Sequence, residues 1–139
     1  MIPMNKRRTI YLAGSMEHVS IEEASGWRNI AKSMLQDHYD ILDPCRRLHN
    51  FETRYMKRIF ELDLRDIREA DILLVNLNDP KLAKHGTAME VFYAAHTLGK
   101  PVVAFKAESD HIHPFFESLV TEWRSTVDKA CETLIEEYL

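Results

Sequence analysis

The sequence predicts an α/β protein in which a parallel sheet carries helices on both faces. Short apolar segments of strand length alternate with stretches of helical periodicity, in the order β-α-β-α-β-α-β-α. The third apolar segment, Ile72 to Leu77, is almost free of polar residues, which is typical of a central strand. Because the connections are short and parallel crossovers are right-handed, we expect a flavodoxin-like strand order of 2-1-3-4, with a short fifth strand that the sequence does not place.

The first three elements have clear turn and capping signals. Residues 9–13 form an apolar run that ends at Gly14, which predicts a buried first strand. A capping-box pattern begins at Ser20 and is followed by apolar residues at helical spacing, so a helix is expected over residues 21–36. The apolar residues within 39–42 predict a second strand.

The middle of the chain predicts a loop, a helix and the central strand. Residues 44–53 show no periodicity and indicate a loop. Apolar residues then recur at helical spacing from Tyr55 to about Ala70. Asp71 opens the third strand, which makes this helix the crossover between strands two and three.

A second capping box follows the third strand. Thr87 and Glu90 have its spacing, which places Glu90 in the first turn of the next helix. This helix should run to Leu98, with Gly99 at its C′ position. The apolar residues 102–105 then predict the fourth strand.

The last third of the chain carries one amphipathic stripe, which predicts a long C-terminal helix. This helix either packs on the sheet, which is the preferred interpretation, or forms a subunit interface. The stripe consists of Trp123, Val127, Ala130, Leu134 and Tyr138.

Composition narrows the class of protein. A length of 139 residues predicts one domain, residues 1–139, and a net charge of −4 argues against a dedicated nucleic-acid binder. The two cysteines suit a reducing compartment, and the apolar run before Gly14 is too short for a signal or membrane segment, so a cytoplasmic protein is expected. Although the net charge is negative, one segment is rich in basic residues. This basic cluster consists of Arg46, Arg47, Arg54, Lys57 and Arg58.

The predicted strand ends and helix starts define one candidate crevice. In an open parallel sheet, ligands bind beyond the carboxyl ends of the strands. Glu90 should point into this crevice, held ionised by the helix dipole and free N–H groups, and Asp63 on the preceding helix could lean towards it. The candidate binding residues are Gly14, Ser15, Met16, Asp43, Asn76, Asp79, Gly86 and Thr87.

Two carboxylates, one ionised and one available as an acid, suit a retaining displacement at a sugar carbon. Simpler interpretations remain open. Glu90 could be only the capping partner of Thr87, Asp63 a solvated helix residue, and Asp43 a turn residue before a proline.

Nucleotide and metal motifs are missing or incomplete. There is no G-x-G-x-x-G and no P-loop motif, so dinucleotide and triphosphate binding lack their main support. The pairs Cys45-x3-His49 and His111-x-His113 lack the second half of a four-ligand set, so we expect no metal site. A phosphoacceptor receiver domain is also disfavoured, because Gly14-Ser-Met16 has no acid.

An ordered set of short motifs resembles the nucleoside 2-deoxyribosyltransferase family, which includes deoxynucleoside 5′-monophosphate N-hydrolases and cytidylate N-glycosidases. The similarity spans about residues 8–106, and it is the order and spacing of the motifs that make it specific. They are Tyr11-Leu-Ala-Gly-Ser-Met16, Gly26-Trp-Arg28, Asp63-x3-Ile67-x2-Ala-Asp71, Leu73-Leu-Val-Asn-Leu77, Gly86-Thr-Ala-Met-Glu90 and Leu98-Gly-Lys-Pro-Val102.

The resemblance implies cleavage of an N-glycosidic bond without a metal or organic cofactor. By this analogy Glu90 attacks C1′ and forms a glycosyl-enzyme intermediate, Asp63 assists as general acid, and Tyr11 lies close to the nucleophile. The sugar then passes to another nucleobase or to water. A neighbouring subunit completes the pocket in this family, so a homodimer or larger assembly is implied.

Two departures from the transferase pattern bear on the substrate. Where transferases carry an acid that holds the sugar 5′-hydroxyl, this chain has Lys81-Leu-Ala-Lys-His85, and Lys84 suits a 5′-phosphate better. The alternative is that Lys84 is a solvated loop lysine with no ligand. Ser15 replaces a proline common in transferases and resembles the monophosphate hydrolases. Base transfer, hydrolysis without transfer, and a catalytically silent nucleotide-binding module therefore all remain open.

Overall fold

The computed structural model of the chain describes residues 6–16, 19–47, 56–79 and 84–139. Several predictions lie outside these ranges. They concern residues 48–53 of the predicted loop, His49 of the Cys-His pair, Arg54 of the basic cluster, Tyr55 at the predicted helix start and residues 81–83 before Lys84.

Five parallel strands form a single sheet in the order β2-β1-β3-β4-β5. The predicted order 2-1-3-4 is therefore confirmed, and the unplaced fifth strand lies at the edge beside β4. The strands are β1 (Thr9–Gly14), β2 (Asp40–Leu42), β3 (Ile72–Asn76), β4 (Val102–Phe105) and β5 (Glu122–Arg124).

The carboxyl ends of the three central strands lie level with one another. Gly14 at the end of β1 pairs with Asn76 on β3, and Asn76 pairs with Phe105 on β4. This register creates the crevice that the fold class predicts, because every loop that leaves these strands starts at the same edge.

Helices cover both faces of the sheet, as predicted. Besides a 3₁₀ turn over Pro44–Arg47, the helices are α1 (Ile21–Leu35), α2 (Met56–Glu69), α3 (His85–Phe92), α4 (Phe115–Leu119) and α5 (Val127–Glu137). The α1 start is confirmed, since the Ser20 hydroxyl accepts the Glu23 N–H at 3.1 Å.

Two apolar layers hold this arrangement together. On one face, α1 and α5 pack against alternate residues of the strands, and Ala130 and Leu134 of α5 are fully buried there. On the other face, α2, α3 and α4 cover the remaining strand residues, with Ile67 and Val91 fully buried. The preferred interpretation of the C-terminal stripe, packing on the sheet, is confirmed.

The long C-terminal helix is shorter than predicted. Trp123 pairs with Ala104 as part of β5, and the helix begins only at Val127, where the Thr126 hydroxyl accepts the Lys129 N–H at 3.2 Å. Trp123 has the spacing of the helical stripe only by coincidence. The segment Glu122–Arg124 instead forms hydrogen bonds to the edge of β4 and becomes a strand. Helix α4 was not predicted.

The prediction that Thr87 and Glu90 form a capping box was also wrong. Helix α3 begins at His85, two residues before Thr87, which is buried inside the helix. The helix continues through a π-helical turn over Tyr93–Thr97 and ends as predicted, with Gly99 at a φ of +66°.

Candidate active site

A tyrosine and a glutamate meet beneath the crevice. Tyr11 lies in β1 with its side chain fully buried, and its hydroxyl donates a hydrogen bond to Oε2 of Glu90. Glu90 is the sixth residue of α3 and so lies in the second helical turn, not in the first as predicted. The helix dipole acts mainly on the first turn, so this tyrosine, and not the helix start, supports the carboxylate.

The environment of Glu90 places its ionisation near neutral pH. Burial has the largest effect and raises the pKa of Glu90 to about 7. The hydrogen bond from Tyr11 lowers this pKa, the negative charge of Asp63 raises it, and the positive charge of Arg28 lowers it. The sequence predicted a carboxylate held ionised by the helix start, whereas burial favours the protonated form and brings the pKa of Glu90 to about 7.

Replacing Tyr11 by phenylalanine should shift this equilibrium. The variant keeps the ring but removes the hydrogen bond that favours the ionised form of Glu90. We expect the Glu90 carboxyl to titrate about one pH unit higher in Tyr11→Phe than in the wild type. Carboxyl ¹³C NMR measures this directly, and Tyr39→Phe, which removes a buried hydroxyl that donates to the Leu134 carbonyl, should leave Glu90 unchanged.

Asp63 lies close enough to act on the same pair. Its negative charge raises the pKa values of both Glu90 and Tyr11, so the structure brings the three predicted catalytic residues together. The Asp63 carboxylate accepts a hydrogen bond from Nη1 of Arg47 at 2.7 Å. The alternative of a solvated helix residue is wrong, since both partners of this ion pair are mostly buried.

A buried arginine supports the end of β1. Arg28 has no exposed surface, and its guanidinium donates to the carbonyls of Ala24 at 2.7 Å, Gly14 at 3.2 Å and Leu12 at 3.4 Å. Its Nε lies 3.6 Å from Oδ1 of Asp43. Arg28 therefore fixes the turn that leaves β1 and places a positive charge beneath the site.

Sequence reasoning did not assign this role to Arg28, although a signal was present. Ala24, Ala31 and Leu35 are the other buried residues of α1, and Arg28 has the spacing of this buried face. A charged residue at an apolar position of a helix is a sign of a buried polar network.

Gly14 has no room for a side chain. A Cβ at this position would lie 2.9 Å from Cζ2 of Trp27 and 3.3 Å from Cβ of Asn76, and Trp27 packs edge-to-face on Phe105. Gly14→Ala should therefore cost about 1–3 kcal/mol of unfolding free energy. Urea denaturation measures it.

Gly26→Ala is the matched control for this variant. Its Cβ would meet nothing within 4 Å, and alanine is the better helix former, so this variant should gain up to about 1 kcal/mol. Equal effects at both glycines would contradict the close packing at Gly14.

The other predicted binding residues lie around the same edge, mostly in contact with the protein itself. Asp43 accepts the Cys45 N–H at 2.8 Å and the Lys32 ammonium at 2.5 Å. Asn76 accepts the N–H of Asn78 at 2.9 Å. Their roles in substrate binding stay predictions, as do those of Ser15, Met16, Gly86 and Thr87.

Lys84 and Asp79 lie across the entrance to α3. The Lys84 ammonium donates to the Asp79 carbonyl at 2.5 Å, and Asp79 has a φ of +61°. Burial lowers the pKa of Lys84, while the charges of Asp79 and Asp110 raise it. The pairing of Lys84 with a phosphate stays a prediction.

Over the ranges that the structure describes, no group of three or more His, Cys, Asp or Glu side chains could hold a metal ion. Burial raises the pKa of Cys45, which disfavours a reactive thiolate. Within the same ranges, no helix has the length and apolar character of a membrane span.

These features define an α/β protein of flavodoxin-like topology with a Tyr-Glu-Asp site at the carboxyl edge of its sheet. The family model described as nucleoside 2-deoxyribosyltransferase matches residues 10–134. The chain belongs to this family, and glycosyl transfer is the general chemistry that the family and fold support.

Solved structures show the same fold at low sequence identity. A 2-deoxyribosyltransferase from Bacillus psychrosaccharolyticus is 23% identical, with a TM-score of 0.72 over 94% of this chain and 92% of that one. A 2-deoxyribosyltransferase from Leishmania mexicana is 19% identical, with a TM-score of 0.70 over 95% and 99%. A conserved protein from Enterococcus faecalis is 16% identical, with a TM-score of 0.76 over 94% and 99%. No curated protein matches the sequence.

Proposed function

We propose that this protein cleaves the N-glycosidic bond of a nucleoside or its 5′-monophosphate through a covalent glycosyl intermediate on Glu90. The observation that carries the proposal is the hydrogen bond from Tyr11 to Glu90 beside Asp63 at the carboxyl edge of the sheet. A carboxylate whose pKa is about 7 is ionised often enough to attack and basic enough to form a bond to carbon.

The reaction runs in two displacements at C1′. The ionised Glu90 oxygen forms a bond to C1′ while the bond from C1′ to the base nitrogen breaks, and the electron pair stays on that nitrogen. The departing base then takes a proton, either from Asp63 or from water. In the second step an acceptor nitrogen or a water oxygen attacks C1′ and releases its proton to solvent, while the ester bond breaks and Glu90 returns as a carboxylate.

Tyr11 assists both steps by its position. Its hydroxyl donates to one oxygen of Glu90 and leaves the other for attack. Burial and the neighbouring negative charges of Glu90 and Asp63 raise the pKa of Tyr11, so the phenol remains a donor. The donor holds the carboxylate in one orientation and stabilises it as a leaving group in the second displacement.

The residues near the entrance favour a substrate that carries a 5′-phosphate. Lys84 brings a cation to the start of α3, where transferase-like members carry an acid, and Ser15 follows the end of β1. A phosphate at this edge would meet both the ammonium and the turn after β1. A nucleoside 5′-monophosphate is therefore the preferred substrate in the proposal, and the sugar passes either to another nucleobase or to water.

Incubation with substrates tests these alternatives. The protein is mixed with the four deoxynucleosides or their 5′-monophosphates, with and without a free acceptor base, and the products are separated by chromatography. Transfer yields a new nucleoside, whereas hydrolysis yields base and sugar with or without acceptor. Binding without any base release across this panel would reject the enzyme and support a silent nucleotide-binding module.

An exposed apolar patch supports a homodimer or larger assembly in the proposal. Met89, Phe92 and Phe115 have large exposed surfaces, with Phe115 reaching 74%, and they border a groove of about 590 Å³. An apolar surface of this kind is typical of protein contacts. Light scattering of the wild type and of Phe115→Glu tests the assembly. That the protein is cytoplasmic, needs no cofactor and acts on small molecules stays a prediction.

A further inference from the structure

One arginine bridges two carboxylates beside the candidate active site. Nη1 of Arg47 lies 2.7 Å from Oδ1 of Asp63 and 2.7 Å from Oδ2 of Asp66. The side chain of Arg47 is only 13% exposed and that of Asp66 only 2%. A guanidinium buried between two acids is held in one place, unlike a surface ion pair.

The two aspartates do not depend on Arg47 equally. Asp66 also accepts a hydrogen bond from Nη2 of Arg46 at 2.5 Å, so it has two cationic partners. For Asp63, Arg47 is the one ion-pair partner within the described part of the chain. Arg47 closes the 3₁₀ turn after β2, and Asp63 lies on α2, so this contact joins two separate elements across 16 positions of the chain.

We propose that Arg47 is a positioning residue that keeps Asp63 ionised and correctly oriented towards the substrate cleft. Asp63 then serves as a hydrogen-bond acceptor for the substrate and not as the acid that protonates the departing base. The inference rests on the proposed function, because it assigns the role of Asp63 in that reaction. It leaves water as the source of the proton that the base takes.

The surroundings of Asp63 explain why Arg47 is needed. Burial raises the pKa of Asp63, and the hydrogen bond and positive charge of Arg47 oppose this effect. The negative charge of Asp66 raises the same pKa, and the charge of Arg46 lowers it. Glu90 faces Asp63 from α3 and Tyr11 from β1. Without Arg47, burial and the surrounding acids would favour the protonated form.

An ionised carboxylate offers only acceptor positions. It can therefore bind a sugar hydroxyl or a base amino group, and it cannot donate a proton to a leaving nitrogen. Both kinds of donor occur on nucleosides. Asp63 would select and orient the substrate, while the chemical step depends on Glu90.

Carboxyl ¹³C NMR without substrate gives the first test. Spectra of Asp63→Asn and Glu90→Gln assign the two signals in the wild type. We expect Asp63 to titrate below Glu90 in the wild type and at higher pH in Arg47→Gln. The matched control is Arg46→Gln, which removes a cation that is 42% exposed and pairs with Asp66 but not with Asp63, and it should move Asp63 less.

Kinetics with the substrate found in the nucleoside panel give the second test. Below the Asp63 titration midpoint of Arg47→Gln, its KM should exceed that of Arg46→Gln about tenfold, because a protonated Asp63 has lost its negative charge and is a weaker acceptor. The two KM values should converge two pH units above that midpoint. Arg47→Lys, which keeps the charge, should restore much of the loss. A merely structural role would give a loss that pH does not rescue.

The outcomes separate the inference from the proposed function. Wild-type Asp63 that titrates above Glu90 overturns the inference, even if Arg47→Gln does not fold. An unchanged Asp63 midpoint in Arg47→Gln overturns it as well. If the wild type releases no base from any nucleoside, the proposed function fails, while the NMR result on Arg47 and Asp63 still stands or falls separately.

Discussion

Glu90→Gln should lose at least about 10⁴-fold in kcat and form no covalent sugar adduct. The amide has nearly the shape of the carboxylate and can still accept the hydrogen bond from Tyr11, so the loss would report the missing nucleophile. Mass spectrometry after incubation with a 2-fluoro-2-deoxy nucleoside measures the adduct. The wild type should gain the mass of the sugar on Glu90.

Stability measurements provide the control for Glu90→Gln. The pKa of Glu90 is about 7 in the folded protein, against an ordinary value of 4.5, so the folded state binds this proton more tightly than the unfolded chain. The wild type therefore loses stability as the pH rises through this window, and glutamine does not. We expect the variant to be more stable by up to about 3 kcal/mol at pH 8 and nearly equal at pH 4.

Two results would contradict this account of Glu90. Full turnover by the purified glutamine variant would exclude the covalent mechanism. A sugar adduct on another residue would move the nucleophile away from position 90. A variant that is inactive because it is unfolded is recognised by its thermal transition, and it would contradict the expected gain in stability.

Arg28→Met should cost about 3–5 kcal/mol of unfolding free energy, because it removes one partner of a buried ion pair. The variant leaves the carbonyls of Leu12 and Gly14 without this donor and removes a charge beside Asp43. The loss is a large share of the stability of a domain of this size. Urea denaturation at pH 7 measures it from the midpoint and slope.

Lys32→Met is the matched control on the same helix. Lys32 also pairs with Asp43, at 2.5 Å, but its side chain is 41% exposed. The control should lose at most about 1 kcal/mol. If Arg28→Met were as stable as Lys32→Met, the supporting role of Arg28 beneath β1 would be wrong.

The fold was readable from the sequence because its main signals are local. The apolar run of β3 marks a strand buried on both faces, and the short connections leave few possible topologies. The helix end at Gly99 depends on the backbone of one residue, and it was predicted correctly.

Errors arose where a local pattern had two explanations. Thr87 and Glu90 have the spacing of a capping box, but they also have the spacing of two neighbouring helix residues, one buried in the core and one in the site. Trp123 has helical spacing relative to Val127, yet the open edge of β4 makes it a strand residue. In both cases contacts with distant parts of the chain determined the structure, and local sequence patterns do not include such contacts.

The candidate site was predictable only in part for the same reason. Tyr11, Asp63 and Glu90 could be named from motif order and from the position of strand ends. Their effects on one another's pKa values could not be predicted, because Tyr11 and Glu90 are 79 positions apart in the chain. Arg47 and Arg28 act through contacts between separate elements, which local sequence patterns do not reveal. In the sequence, Arg47 was only part of a basic cluster, and Arg28 was only a charged residue within an apolar helix face.

The location of the catalytic candidates has a consequence for how this scaffold can diversify. Tyr11, Asp63 and Glu90 all sit on strands or helices, whereas Ser15 and Asp79 belong to connecting segments. Exchanging such segments with those of a relative should alter which nucleoside is accepted while bond cleavage survives. Selectivity and reactivity would then evolve on separate parts of the polypeptide.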